Sequence, residues 1–323
     1  MNHITTPLPL VETRLVRKAP RRISFEGRPY VVWKTGEGFF ASSAVCPHRG
    51  ADLSKGKACE KFLRCPYHGW TIAGDGKVTS PSEGKAKGHQ QTFPLTDRFG
   101  FLWLGGDAAY FAELERERGD FLGALTVTLK APLHITLDSF VDGTHLPFVH
   151  RRNALFEPTG DLQFSWSEDD TSVTITSDYP QRRFSLIGFL NFFVPFRWVV
   201  SPTVDFAPVR IRYQNYWYRA SDKKVPNGVN TNTFYLYPAD RETTVVPCLL
   251  FHRLPKHLRP FRRLFAAVSK RLLLSVLTED VEVAQSMLVR KLDRGGLRLE
   301  AADVPLVRVR ERYLRSREFA GDD

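Results

Sequence analysis

The chain has 323 residues, of which 42% are apolar and 25% charged, and 46 Lys and Arg against 35 Asp and Glu leave a formal charge of +11. That balance describes a globular protein with a sizeable core and excludes disordered, collagenous and low-complexity architectures. The positive charge admits an anionic ligand, nucleic acid, an acidic protein or an anionic surface, and composition does not choose among them.

Near the N-terminus, Pro7 to Val11 is apolar but too short for a leader, and Glu12, Arg14, Arg17 and Lys18 follow it. The cytosol is therefore the expected compartment. Tyr30-Val31-Val32-Trp33 and Phe99 to Leu104 read as strands. Between them lie two similar segments, Cys46-Pro47-His48-Arg49-Gly50 and Cys65-Pro66-Tyr67-His68-Gly69-Trp70, with sixteen residues between His48 and Cys65. Pro after each Cys and Gly beyond each His make both segments tight loops. Each loop offers one thiolate and one imidazole. Two Cys and two His hold Zn²⁺ tetrahedrally, or a [2Fe–2S] cluster with Cys on one iron and His on the other. Zinc sites usually pair Cys with Cys and His with His, whereas both loops here are mixed. Cys59 and Cys248 have no close His or Cys partner and read as inert small hydrophobes.

Gly105-Gly106-Asp107 closes the last strand of this unit, and Glu113 to Gly119 reads as a charged linker. The expected organisation is a β-domain over residues 1–107, a linker over 108–123 and a second domain over 124–323. Thr126 to Leu129 opens that second domain, and Asp138-Ser139-Phe140-Val141-Asp142-Gly143-Thr144-His145-Leu146-Pro147-Phe148-Val149-His150 follows. Asp142 and His145, three apart, would share a face of a helix that Pro147 ends or kinks, swinging His150 back toward His145. Two His and a carboxylate form the facial triad of non-haem Fe(II) sites, which leaves coordination positions open.

Asp161 to Ser167, Ser172 to Ser177, Val209 to Arg219, Thr231 to Tyr237 and Thr243 to His252 read as antiparallel strands. The most apolar stretch, Leu186 to Val200, is broken by Asn191, Pro195 and Arg197, so no membrane span is expected. Phe184 to Phe193 is a candidate substrate wall. A long helix is expected from about Arg262 to Lys291, carrying Thr278-Glu279-Asp280-Val281-Glu282.

The mixed loops, with both Pro residues and the Tyr67-His68-Gly69-Trp70 run, resemble the Rieske signature. Together with the downstream Asp/His motif they resemble the oxygenase (alpha) component of Rieske non-haem iron oxygenases, nearest to the homo-oligomeric vanillate demethylase and phthalate dioxygenase group. The resemblance implies an α+β chain. An N-terminal all-β Rieske domain would precede a catalytic domain whose curved antiparallel sheet grips a long C-terminal helix. It implies a [2Fe–2S] cluster on Cys46, His48, Cys65 and His68, and Fe(II) on His145, His150 and an acid of the long helix. That acid is read as Asp280, with Glu279 and Glu282 as alternatives. Asp142 then hydrogen-bonds a ligand His and links the site to the cluster of a neighbouring subunit. One position departs from the family: Ser139 stands where Asn is frequent. The resemblance further implies O₂ as co-substrate, NAD(P)H used only through a reductase, an acidic ferredoxin or flavin reductase as partner, and a homotrimer. It implies a small apolar substrate and no nucleic acid. Through Asp107 the first unit carries 16 Lys and Arg against 9 Asp and Glu, and the run Arg253, Lys256, Arg259, Arg262, Arg263, Lys270, Arg271 contains no acid. Both fit an acidic electron donor.

Overall fold

The computed structural model describes residues 7–150, 162–180, 196–219, 228–253, 256–287 and 300–318. Its first sheet is formed by β1 (Leu8–Glu12), β2 (Arg21–Phe25), β3 (Arg28–Lys34), β4 (Phe39–Ser43), β10 (Thr92–Arg98) and β11 (Phe101–Leu104), in the order β1-β11-β10-β4-β3-β2. Inserted between β4 and β10 is a small meander of β5 (Lys57–Ala58), β6 (Phe62–Arg64), β7 (Thr71–Ala73), β8 (Lys77–Thr79) and β9 (Ala86–His89). A second large sheet uses β12 (Asp120–Leu129), β13 (Gln163–Glu168), β14 (Ser172–Pro180), β15 (Phe196–Phe206), β16 (Val209–Arg219), β17 (Gly228–Tyr235), β18 (Tyr237–Asp240) and β19 (Thr243–His252). Its order is β12-β19-β17-β16-β15-β14-β13, with β18 beside β19, and every pairing is antiparallel.

Two continuous apolar runs explain how these layers stack. Successive side chains of a strand point to opposite faces. On β3, Tyr30 and Val32 enter one core, while Val31 and Trp33 enter another beneath the two Cys/His loops. On β19, Val246, Cys248 and Leu250 face the helices, while Leu249 and Phe251 face the first sheet. The first sheet and β17–β19 thus share one apolar core. Trp103 and Tyr235 meet at 5.2 Å within it, and Tyr237 Oη donates to the Leu10 carbonyl at 2.8 Å. On the opposite, helix-facing side of β19, Cys248 is fully buried, as expected of an inert small hydrophobe.

The segment expected as a charged linker is folded. Residues Ala108–Arg118 form helix α2, following the short α1 (Thr13–Val16). Asp107 caps α2 by accepting from the Tyr110 N–H at 2.8 Å, and Phe111 and Leu114, three apart, are buried in the shared core. β12 then begins at Asp120, not near 124.

Helices α3 (Leu133–Val141), α5 (Arg262–Ser286) and α6 (Val304–Glu318) cover the other face of the large sheet, with the one-turn α4 (Leu146–Val149) between α3 and β13. Eight of the nine residues of α3 are buried, so the helix is apolar around most of its circumference. The long helix is shorter than expected, ending at Ser286, and only its C-terminal half sends buried residues inward: Leu277, Glu279, Asp280 and Ala284. Lys270 Nζ stitches its middle to the Ala124 carbonyl of β12 at 3.0 Å. No described helix is long and apolar enough to cross a membrane. The candidate substrate wall, Phe184 to Phe193, lies outside the described residues.

Candidate metal centres

The two Cys/His loops are built alike. In the first, the Cys46 N–H donates to Ala51 O and the Gly50 N–H returns to Cys46 O, both at 2.9 Å. In the second, the Cys65 N–H donates to Trp70 O at 2.7 Å. Gly50 and Gly69 turn both chains with φ of +73° and +70°, a region that glycine enters without strain. Both thiols are buried, with Leu53, Leu63, Ile72 and Val78 around them. The imidazoles lie further out: His48 is half-buried and His68 exposed. Their rings meet edge to face at 4.7 Å, and Trp70 stacks on His48 at 4.5 Å, nearly parallel.

The chemistry of this pocket calls for a cation. Burial pushes the Cys46 thiol above its usual pKa, and the neighbouring Cys65 adds to the rise, so two thiolates would not persist there alone. Burial, then the charges of His68 and Arg49, hold His48 below its usual value and favour the neutral imidazole that a metal needs. His48 Nδ1 is buried with no hydrogen-bond partner in the structure.

The second centre departs locally from the helix read in the sequence. Asp142 is not on a helix with His145. It ends α3 in an extended conformation, and its Oδ1 accepts from both the N–H and the hydroxyl of Thr144 at 2.7 Å. That competing side-chain bond closes α3. Pro147 does not break a helix; it sits in the first turn of α4, where its missing N–H costs nothing. Gly143 passes so close to β14 that a Cβ would lie 2.0 Å from Ser177 Oγ. The turn that carries His145 is pressed against the sheet there.

This turn, α4 and α5 bring three donors together. His145 Nε2 and His150 Nε2 lie 3.3 Å and 3.2 Å from Asp280 Oδ1. One ligand atom from each residue falls within 4.8 Å of the others. All three atoms are buried and none has a hydrogen-bond partner of acceptable geometry. Atoms facing one another in that state fit a shared ion. The other ring nitrogens are held by carboxylates: His145 Nδ1 lies 3.5 Å from Asp142 Oδ2, and His150 Nδ1 lies 3.1 Å from Glu279 Oε2. Burial alone would raise the Asp280 carboxyl, but the facing imidazoles of His145 and His150 outweigh it and hold it below the ordinary value. Burial opposes charging His145, yet Asp142 and Asp280 push it up to about 9. The cluster is thus rich in negative charge, and its chemistry suits a cation, a proton or a metal ion. Glu282, one alternative ligand, is exposed; Glu279, the other, occupies the far side of His150.

Sequence reasoning missed a brace behind this site. Arg310 on α6 donates from Nε to Asp138 Oδ2 at 2.6 Å, tying the C-terminal helix to α3 one turn before Asp142. Burial pushes the Asp138 carboxyl up to about 6, against the opposing pull of Arg310. A carboxyl raised in the folded state adds stability while protonated and loses it as pH rises through the folded pKa. Relative to Asp138→Asn, the parent should therefore lose about 2 to 3 kcal/mol of unfolding free energy between pH 4 and pH 7. Urea melts at several pH values measure this, and parallel curves for the two proteins would contradict it.

Residues 7–94 match the family model of the Rieske [2Fe-2S] domain. The N-terminal unit is a Rieske domain. Its two loops are the ones described above, and over part of its length the chain is similar to proteins named as oxygenases. It is 27% identical to the 4beta-methylsterol monooxygenase of Methylococcus capsulatus over 252 residues, 72% of this chain and 64% of that protein. It is 30% identical to the vanillate O-demethylase oxygenase subunit of a Pseudomonas species over 126 residues, 36% of this chain and 38% of that one. These matches span less than two thirds of either relative. The fold extends further than the sequence match. Dicamba monooxygenase bound to dicamba superposes with a TM-score of 0.76 over 98% of both chains, at 16% identity. The Rieske domain followed by an antiparallel sheet and helices is therefore an architecture that this chain shares with dicamba monooxygenase.

Proposed function

We propose that the chain is an O₂-dependent Rieske oxygenase that hydroxylates, or oxidatively demethylates, an apolar aromatic or polycyclic small molecule. The convergence of His145 Nε2, His150 Nε2 and Asp280 Oδ1 in a chain that carries a Rieske domain supports this reading most directly. A pure electron carrier has no use for a second, buried donor set. The relatives named for a methylsterol and for O-demethylation favour a methyl group as the point of attack.

Cys46, His48, Cys65 and His68 would hold the cluster, and His145, His150 and Asp280 the mononuclear Fe(II). When bound, the cluster supplies single electrons and the Fe(II) supplies open positions for O₂. The chain's own residues set the conditions. Exposed His68 is the edge at which an electron donor docks, with Arg49 beside it. Asp142, 25% exposed, reaches from the surface of the second unit to Nδ1 of His145. Leu137, Phe140 and Val141 seal the back of the site against water.

A head-to-tail homotrimer in the cytosol completes the proposal. Tyr67 beside the cluster loops is 64% exposed, and Phe148 beside the second centre is 59% exposed. Unlike apolar patches on one chain pair heterologously, and such contacts form a ring where the rotation between copies closes. Asp142 of one copy would then face His68 of the next.

Single turnover of pre-reduced protein against methylated aromatics and sterols tests the activity, with O₂ uptake and formaldehyde as readouts. Uptake coupled to one substrate class is expected. No uptake above background, with both iron centres full, would leave only electron transfer. Turnover driven by an acidic ferredoxin should fall as salt rises, because the Debye length shrinks to about 10 Å at 0.1 M. The pre-reduced single turnover should not respond to salt.

A further inference from the structure

The two histidines of the second centre are held at Nδ1 by carboxylates of different construction. Asp142 is partly exposed, 3.5 Å from His145, and shares its other oxygen with Thr144. Glu279 and His150 have side chains only 6% and 2% exposed and meet at 3.1 Å. Glu279 and Asp280 are neighbours on α5, and successive helix residues point about 100° apart. That divergence carries them to opposite sides of one ring. Asp280 Oδ1 reaches Nε2 of His150 at 3.2 Å while Glu279 Oε2 reaches Nδ1. The Glu-Asp pair therefore clasps His150 at both nitrogens from a single helix, whereas His145 is held more loosely, 3.3 Å from Asp280 and 3.5 Å from the partly exposed Asp142 on another segment.

We infer that Glu279 is a positioning residue: by accepting from Nδ1–H it fixes the tautomer and ring plane of His150, leaving Nε2 as a lone pair aimed at the metal. This rests on the proposed mononuclear site. His150 becomes the anchored ligand, and metal retention depends on Glu279. Asp142, on its exposed turn, is free to serve the contact between centres, so retention depends on it less. A carboxylate buried at this depth is costly unless it is hydrogen-bonded, and the imidazole N–H supplies the bond.

The test is Co(II) titration of protein stripped of its mononuclear iron, with the cluster intact and its visible absorption as a control on folding. Glu279→Met keeps the bulk and removes the acceptor; Glu279→Gln keeps the acceptor and removes the charge. The Met variant should bind Co(II) 10- to 100-fold more weakly, the range expected when the support of a ligand is lost. The Gln variant should stay within about threefold of the parent, with an unchanged Co(II) spectrum, as expected for an uncharged acceptor in the same place. Parent-like affinity in Glu279→Met overturns the inference, and so does an equal loss in both variants. Should Glu279→Met fail to fold, the Gln variant decides: retained affinity supports orientation, and lost affinity overturns it. Asp280→Ala separates the two readings. If it too binds Co(II) like the parent, the metal centre itself is misplaced.

Discussion

Replacing Asp280 by Ala should abolish product formation while leaving the Rieske spectrum unchanged. Iron should fall from about three to about two per chain, the two belonging to the cluster. Activity should fall by more than ~100-fold, beyond what loss of an outer support costs. The physical reason is the geometry of one oxygen. Asp280 Oδ1 stands 3.3 Å and 3.2 Å from the two Nε2 atoms, and all three lack hydrogen-bond partners. Without it, two imidazoles remain, and the charge that draws the cation into a buried site is reduced. The cluster loops have their own core of Val31, Trp33, Leu53, Leu63, Ile72 and Val78, and Asp280 packs with a different set of residues. Metal analysis beside the visible spectrum checks both halves. Full activity in Asp280→Ala would return Glu279 to the ligand set.

The Rieske loops were legible because a thiolate and an imidazole at fixed spacing, bracketed by Pro and Gly, carry their geometry locally. That His145, His150 and Asp280 come together is what the sequence leads one to expect, but the way the chain brings them together is not. The expected helix through Asp142 and His145 does not exist, because Asp142 prefers a short bond to Thr144 over continuing α3. Helical periodicity cannot reveal such a side-chain competitor. Glu279 entered only as a rival ligand. Its contact with His150 spans 129 positions in sequence and could not be read from either segment.

Other misses have compositional causes. The acidic and basic residues of 113–119 masked the Phe111/Leu114 stripe that buries α2. The first five residues of β15 (Phe196–Phe206) close the apolar stretch Leu186 to Val200, whose near-continuous hydrophobicity carries no alternation to mark a strand. The C-terminal helix α6 is rich in Arg, so its buried Val309 and Tyr313, four apart, were overlooked. Yet α6 places Arg310 against Asp138, behind the turn that carries His145. The strands did better because β16 and β19 begin and end where alternation predicts, at Val209–Arg219 and Thr243–His252.

Cys65→Ser should remove the Rieske cluster and, with it, the order of the small meander. The expected signs are loss of visible absorption and loss of the electron paramagnetic resonance signal of the dithionite-reduced protein. Bound zinc in the parent, with no iron, would defeat the assignment itself. The structural half of the prediction follows from the size of the core. Only nine buried residues form it, and Cys46 and Cys65 are two of them. Strands β5 to β9 are two to four residues long, and β9 is exposed throughout. Sheets so short do not hold by pairing alone. Metal binding to preorganised loops is folding free energy in such a unit. Amide hydrogen exchange should therefore accelerate across residues 57–89 in Cys65→Ser while β12, β16 and β19 stay protected. Those strands belong to a sheet whose core, from Leu125 to Tyr313, does not include the loops. Uniform acceleration across both sheets would show that the cluster braces the whole chain through the shared aromatic core of Trp103, Tyr235 and Phe251.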